Sequence, residues 1–348
     1  MIARFLKTLC AALLVGTLAT TNAVACAFHN YIPDPTPVDQ MLASQSIVFA
    51  RPDPGSGGEL RIVRRLAGPA LTDPALPVPD AMTRARLLAS PGDALLMVRV
   101  AETEPWFRVA YADADYQEVI QRIVPQLPEW SREGDVGRFQ FFADLLDHPS
   151  AELRRWALLE LDRADYSVLR ALDLSHTVSL AEVAAADDMM RPILILLAGL
   201  SGDVDAQRVI VDELAANASR DLPYLGAYVI ALLEMQGTDA VGRIETTYLR
   251  DTGLPLATRE KMLEAFAIIS RAGDPETAAT VRMTTSAVLD GEPTLAPAVA
   301  RQFGFQGDWS QADAMARAAR VHKFEEIADL FAVNQYVALS MQMENASQ

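Results

Sequence analysis

The sequence predicts an α+β protein in which a small antiparallel β domain precedes a larger all-α helical-repeat domain. Three observations support this prediction. Residues 26–128 alternate short aliphatic runs with proline-rich stretches that forbid long helices. In residues 129–348, apolar residues recur at helical rather than strand intervals. Similar helix ends also recur along this second region, which is typical of repeat proteins.

Residues 1–25 have the features of an export signal and are left out of the predicted fold. Two basic residues precede an apolar stretch, Leu9 to Leu18, and small residues lead up to Cys26. The apolar stretch is shorter than the roughly 20 residues that span a bilayer, and no later stretch of that length lacks charges. We therefore expect an exported protein, periplasmic or secreted, without a transmembrane span.

The chain is acidic, with 46 Asp and Glu against 30 Lys and Arg and a formal net charge of −16. Such a chain repels polyanions and anionic lipid surfaces, so nucleic acid is not an expected partner. Hydrophobic residues make up 51% of the sequence, which is enough for one or two buried cores. The negative charge serves solubility or the recognition of a cationic partner.

Four runs in the first region are typical of strands: residues 46–52, 59–66, 93–100 and 106–112. The glycine-rich stretch at 54–58, which contains Ser56, predicts a hairpin connection between the first two strands. Asp113 is the expected N-cap of a following helix that spaces its apolar residues on one face, at Tyr116, Val119, Ile120 and Ile123. We expect this helix to close the β domain.

The second region repeats a corner at a nearly constant interval. Gly202, Gly237 and Gly273 lie 35 and 36 residues apart, and each follows an apolar helical run. This spacing predicts pairs of helices stacked side by side. Glycine suits such corners because a helix often ends in a left-handed conformation. Residues 292–343 predict two or three further helices, the last with Phe324, Ile327 and Phe331 aligned as an apolar stripe.

Residues 141–165 supply a first helix, a turn at His148 and Pro149, and a second helix with one apolar side. This unit resembles the HEAT family of helical repeats. The resemblance rests on these residues: Asp147, the pair Leu153 and Arg154, Ala157 and Leu161, with Trp156 on the same side of the second helix. Over about 131–290 the later units keep the period but lose the Leu-Arg pair. The resemblance implies an α-solenoid whose concave surface binds protein or peptide partners.

The start of the first region combines a mature chain that begins at Cys26, a proline-rich stretch and a strand at 46–51. In these features it resembles netrin-like domains of the TIMP type. The resemblance implies a small OB-like barrel, and inhibitors of that family bring the N-terminal Cys close to a metalloenzyme's zinc. The family's Cys is normally disulfide-bonded. This sequence departs from that pattern, because Cys26 is the only cysteine that remains once the signal is removed.

Cys26 and His29 are the candidate metal ligands. Removal of the signal places an α-amine, a thiolate and an imidazole within a few residues, a set that suits copper or zinc. Three alternatives stay open: a lipidated Cys26 that tethers the protein to a membrane, an unmodified terminal thiol, and a His29 that caps a turn. Ala23 stands where a lipoprotein signal usually has Leu.

The other polar candidates have structural explanations. No local turn of the G-x-S-x-G kind indicates a nucleophile, and no remaining histidine has a second His or Cys three or four residues away. We expect a polar cap at His148, whereas His176 and His322 stand alone in helical sequence and make no metal motif. We expect helix starts or polar faces at the acidic pairs: Asp113 and Asp115, Asp187 and Asp188, Glu325 and Glu326. We expect core packing at Trp106, Trp130, Trp156 and Trp309.

The predicted function is therefore that of a non-enzymatic binding or scaffold protein, which presents a helical-repeat surface to a protein or peptide partner. The alternative is a metal-handling or metalloenzyme-inhibiting protein that acts through Cys26 and His29. An enzyme with a site assembled from distant residues is the third hypothesis. Copper or zinc is the only cofactor that the sequence suggests.

Overall fold

A computed structural model describes residues 33–55, 58–70, 75–131, 136–201, 204–217 and 224–347. A four-stranded antiparallel sheet lies near the start of this part of the chain. Its strands are β1 (Ser46–Pro52), β2 (Leu60–Ala67), β3 (Ala94–Arg99) and β4 (Phe107–Ala112), and their order in the sheet is β2-β1-β3-β4. Every strand end lies within one residue of the predicted run, so the four strand predictions are confirmed.

The hairpin between β1 and β2 is also confirmed. The Asp53 N–H donates to the Glu59 carbonyl over 2.8 Å and continues the ladder beyond Pro52. Ser56 lies outside the described residues. The described strands form an open sheet with β2 and β4 at its edges, and the OB-like barrel stays a prediction.

The rest of the described chain is helical. The helices are α1 (Pro37–Leu42), α2 (Ala81–Ala89), α3 (Ala114–Ile123), α4 (Leu127–Trp130), α5 (Val136–Ala143), α6 (Ala151–Leu161), α7 (Tyr166–Ala171), α8 (Leu180–Ala185), α9 (Arg191–Ser201), α10 (Val204–Asn217), α11 (Leu225–Ile244), α12 (Leu256–Ala272), α13 (Pro275–Gly291), α14 (Ala296–Phe305), α15 (Ala312–Val321) and α16 (Ile327–Ser347). Single turns at Val124–Gln126, Glu245–Leu249 and Pro293–Leu295 join some of them.

Two short helices, α1 and α2, are absent from the sequence prediction. Both lie in the proline-rich part of the chain, and both begin at a strong cap. The Thr36 hydroxyl accepts from the Asp39 N–H, and the Asp80 carboxylate accepts from the Thr83 N–H. Prolines before a cap or at the first helical position permit a helix to start, so they exclude only longer helices here.

The later helices pack in two rows. In one row α9 contacts α11, α11 contacts α12, α12 contacts α14, and α14 contacts α16. In the other row α10 contacts α11, α11 contacts α13, and α13 contacts α15. Helix α11 belongs to both rows because it breaks at Gly237, where φ is +53°. The predicted corner at Gly237 is thus confirmed.

The prediction of a left-handed conformation at each glycine corner is wrong for Gly273. It has φ −76°, which is not left-handed. A Cβ at this position would lie 2.7 Å from the Ile269 carbonyl oxygen, so glycine is required for space and not for handedness. Gly202 lies outside the described residues.

Both faces of the sheet are covered. Ile47, Phe49, Leu96 and Val98 belong to a buried core that continues past residue 128 into the helices as far as Tyr336. The opposite face packs separately against α2 and Trp106, with these residues buried: Val48, Ala50, Leu60, Leu87, Leu95 and Met97. The division of the chain into two domains at residue 128 stays a prediction.

A buried cluster of charges ties α1 to α5 and α6. The Arg138 guanidinium donates to Glu160 Oε2 over 2.6 Å and to Asp39 Oδ1 over 2.9 Å. Glu160 is fully buried, and its other oxygen accepts from the Trp156 indole N–H over 3.1 Å. Arg163 pairs with Asp39 over 2.9 Å. Burial opposes ionisation of Asp39, but the Thr36 N–H and the two guanidinium groups hold its pKa below the usual value.

We expect Arg138→Met to lower the free energy of unfolding by about 3–5 kcal/mol, because it leaves the buried Glu160 carboxylate without its cation. Arg155→Met is the control. It removes an exposed 3.2 Å pair with Asp187 and should cost at most about 1 kcal/mol. The double variant Arg138→Met/Glu160→Leu should recover most of the loss. Chemical denaturation measures all three, and equal losses for Arg138→Met and Arg155→Met would contradict the role of the cluster.

We expect Gly237→Ala to destabilise the fold by about 1–3 kcal/mol, because alanine does not tolerate the backbone conformation at the break. Gly242 lies in the same helix with open space beside it, since no atom lies within 4 Å of where a Cβ would stand. Gly242→Ala should therefore stabilise the fold by about 0.5–1 kcal/mol. Thermal unfolding measures the stability of both variants. An equal loss of stability at positions 242 and 237 would contradict the requirement for glycine at the helix break.

Candidate functional site

The predicted metal ligands Cys26 and His29 lie outside the described residues, as does the export signal. Metal binding and lipidation at Cys26 therefore stay predictions. Within the described ranges, no group of three or more His, Cys, Asp or Glu side chains is placed to hold a metal ion. No helix in the same ranges is long and apolar enough to cross a membrane.

Three of the predicted polar caps are confirmed. His148 Nδ1 accepts from the Ser150 N–H over 3.1 Å in the turn before α6. Asp113 accepts from the Tyr116 N–H over 2.9 Å and caps α3, whose predicted apolar face is buried. Asp187 accepts from the Met190 N–H over 2.9 Å just before α9, as expected of an acid at a helix start. These groups have structural roles.

His176 has partners that the sequence prediction missed. Its Nδ1 lies 2.6 Å from Asp147 Oδ1, and its Nε2 lies 3.3 Å from Glu182 Oε1. Asp147 is 29 residues away along the chain, so local spacing gives no signal for this contact. His176 therefore links its own loop to the loop that holds Asp147 and to the first turn of α8.

The core prediction holds for three tryptophans. Trp106, Trp130 and Trp156 are buried. Trp309 is only half-buried and lines a groove between α14 and α16. The groove has a volume of about 280 Å³. Its walls are formed by Ala300, Arg301, Gly304 and Phe305 of α14, by Trp309, and by Ala332, Gln335, Tyr336 and Leu339 of α16.

The outer face of α16, next to this groove, has no exposed charged residue between Ile327 and Met343, and Glu344 is the first exposed acid on the helix. Ile327 is 85% and Phe331 is 65% exposed. Between residues 327 and 343 the exposed positions of this helix are Ile327, Ala328, Leu330, Phe331, Asn334, Gln335, Ala338, Met341, Gln342 and Met343. A helix whose outer face meets only water normally carries charged residues there. The exposed apolar side chains make this face of α16 the candidate interaction surface.

The prediction that the last helix contains Phe324 together with Ile327 and Phe331 is wrong for Phe324. Helix α16 begins at Ile327, so Phe324 precedes it, and Ile327 and Phe331 lie on the exposed side. The buried side is formed by Val333, Tyr336 and Ser340. Periodicity identifies residues that share a face, but it does not show which face has a partner inside the chain. Glu325 and Glu326 are exposed, as predicted.

A chain of ion pairs positions the groove. Arg301 on α14 makes two hydrogen bonds to Glu260 on α12, of 2.8 and 2.9 Å, and a third of 3.0 Å to Asp329 on α16. The hydrogen bond from Arg301 to Glu260 is the main cause that raises the pKa of the guanidinium. The two-pronged geometry fixes the register of three helices more tightly than a single contact does.

Glu264 lies one helical turn beyond Glu260, and its carboxyl group is largely buried. Burial, reinforced by the Glu260 carboxylate and opposed by Lys261, raises its pKa to about 7. The folded protein therefore holds a proton that the unfolded chain releases at a lower pH.

This difference in pKa between the folded and unfolded states makes the stability of the protein depend on pH. Between the ordinary carboxyl pKa and about 7 the folded state binds more protons than the unfolded state, so stability falls as pH rises. We expect Glu264→Gln to flatten this slope and to stabilise the protein by about 1–3 kcal/mol at about pH 8. Glu325→Gln, at an exposed position, should leave the slope unchanged. Denaturation from about pH 5 to about pH 8 measures it, and identical slopes for Glu264→Gln and the parent contradict the assignment.

Comparison of this chain with protein-family models, with curated proteins and with solved structures gives no match. The functional assignment therefore rests on the chain's own residues.

Proposed function

We propose that this chain is an exported, non-enzymatic binding protein in which HEAT-like helix pairs form a solenoid. Its partner is a protein segment that seats on the outer face of α16 and in the groove beside it. The observation that carries this proposal is the row of exposed, uncharged residues along α16. Burial of side chains such as Ile327 and Phe331 against a partner removes apolar surface from water and stabilises the complex.

The chemistry of the surface favours an amphipathic helix as the partner segment. The groove between α14 and α16 runs beside a helix face, and such grooves suit a helix that presents apolar residues at i, i+3, i+4 and i+7. Glu325 and Glu326 are exposed immediately before α16, with Lys323 close by in the chain. This acidic rim, on a chain of net charge −16, favours basic residues on the edges of the partner's apolar face.

A synthetic helix tests the proposal. The probe is a peptide of about 18 residues with Leu on one face and Lys on the other, and a scrambled peptide of the same composition controls for charge alone. At ~150 mM salt we expect the amphipathic peptide to bind at least about tenfold more tightly than the scrambled one. Phe331→Asp should abolish this preference, because it places a charge in the apolar interface.

Met283→Asp is the matched control. Met283 is 66% exposed on α13, away from the groove, and the change adds the same charge. It should leave binding unaltered. A preference for the amphipathic peptide that survives Phe331→Asp overturns the proposal. Light scattering of the parent chain adds a second check, since a dimer that Phe331→Asp converts to a monomer would make a second copy the occupant of this face.

A further inference from the structure

A second cleft, of about 310 Å³, lies between α2 and the edge strand β4. Its walls are formed by Met82, Thr83 and Arg86 on α2 and by Arg108, Val109, Ala110 and Tyr111 on β4. It shares no residue with the groove at α16. We propose that this cleft binds an extended peptide segment that carries an acidic side chain, and this inference stands independently of the function proposed above.

The backbone of β4 provides main-chain hydrogen bonds for an extended segment. Strand β4 pairs with β3 on one side only. An edge strand with unpaired N–H and C=O groups accepts an added strand, and the main-chain hydrogen bonds supply affinity without regard to sequence. The register shift opposite Leu96 and Met97 leaves Val109 as an extra residue and limits the pairing to a short segment.

Arg86 provides the charge that recognises the acidic side chain of this segment. Its guanidinium lies over the Tyr111 ring, 3.6 Å from the centroid. Across the cleft, Arg108 already has a carboxylate partner, Asp80, at 3.1 Å, and it also donates to the Thr83 hydroxyl. Among the described residues no carboxylate lies within ion-pair distance of Arg86, so its N–H groups face the cleft without an anionic partner. Stacking on the ring holds the guanidinium plane in place, which suits a planar carboxylate.

The rim of the cleft adds apolar contacts. Met82 lines the cleft on the α2 side and is 83% exposed. In an added strand, side chains alternate between the two faces. An acidic side chain directed toward Arg86 therefore alternates with neighbours that point to the other side of the sheet edge, and a flexible Met at the rim adapts to different apolar side chains.

Three probe peptides test the proposal with the full-length chain. The first is a capped peptide of alternating Val and Thr with one central Asp. The second has Asn in place of the Asp, and the third keeps the Asp but carries N-methyl groups on alternate amides, which removes the hydrogen bonds of an added strand. By fluorescence anisotropy we expect the Asp peptide to bind at least about tenfold more tightly than either of the others.

Arg86→Met should remove the preference for Asp over Asn while the chain stays folded, because Arg86 is exposed and Met preserves the helix. Arg65→Met, at an exposed position on β2 at the opposite edge of the sheet, is the control and should leave the preference intact. Three results overturn the proposal: equal binding of the Asp and Asn peptides, full binding of the N-methylated peptide, or no saturable binding of any peptide below about 1 mM.

Discussion

The structure depends on a fully buried carboxylate. Glu160 on α6 is neutralised by Arg138 on α5, and Arg138 also reaches Asp39 on α1. Arg138 pairs with both carboxylates and Arg163 pairs with Asp39 as well, so a displacement of Arg138 would leave the fully buried Glu160 without its cation. The cluster therefore fixes α1, which comes from the beginning of the described chain, against helices that follow about a hundred residues later.

The packing of α1 and α3 against the later helices determines which surfaces of the sheet remain open to a partner. One face of the sheet joins the helical core, and the other face is closed by α2 and Trp106. With both faces used for stability, the edges remain as the surfaces on which the sheet can make new contacts. At β4 the edge coincides with the cleft of α2, whereas β2 at the other edge carries the exposed arginines Arg61, Arg64 and Arg65. Charged side chains on an edge discourage strand addition, and β4 carries one such residue, Arg108, which is paired with Asp80.

Local signals made part of this fold predictable. The strands and α3 follow from runs of aliphatic residues and from the cap at Asp113, because those signals lie within a few residues. The contacts of Glu160 and His176 escape such an analysis, since their partners lie 22 and 29 residues away along the chain. Periodicity places Ile327 and Phe331 on one helical face, but it does not show whether that face meets the chain's own core or a partner. In the sequence, the only signal for the surface on α16 is a helical face without exposed charged residues between Ile327 and Met343.

The two proposed surfaces rely on different physical interactions, and this difference has a consequence for how they respond to their surroundings. Recognition at α16 is dominated by apolar burial, which salt leaves largely unchanged. Recognition at β4 combines main-chain hydrogen bonds with the charge of Arg86, and the electrostatic part weakens as ionic strength rises. A chain with both surfaces distinguishes an amphipathic helix from an extended acidic segment by chemistry as well as by shape. That separation is what a scaffold requires, because two partner segments that competed for one surface would exclude each other.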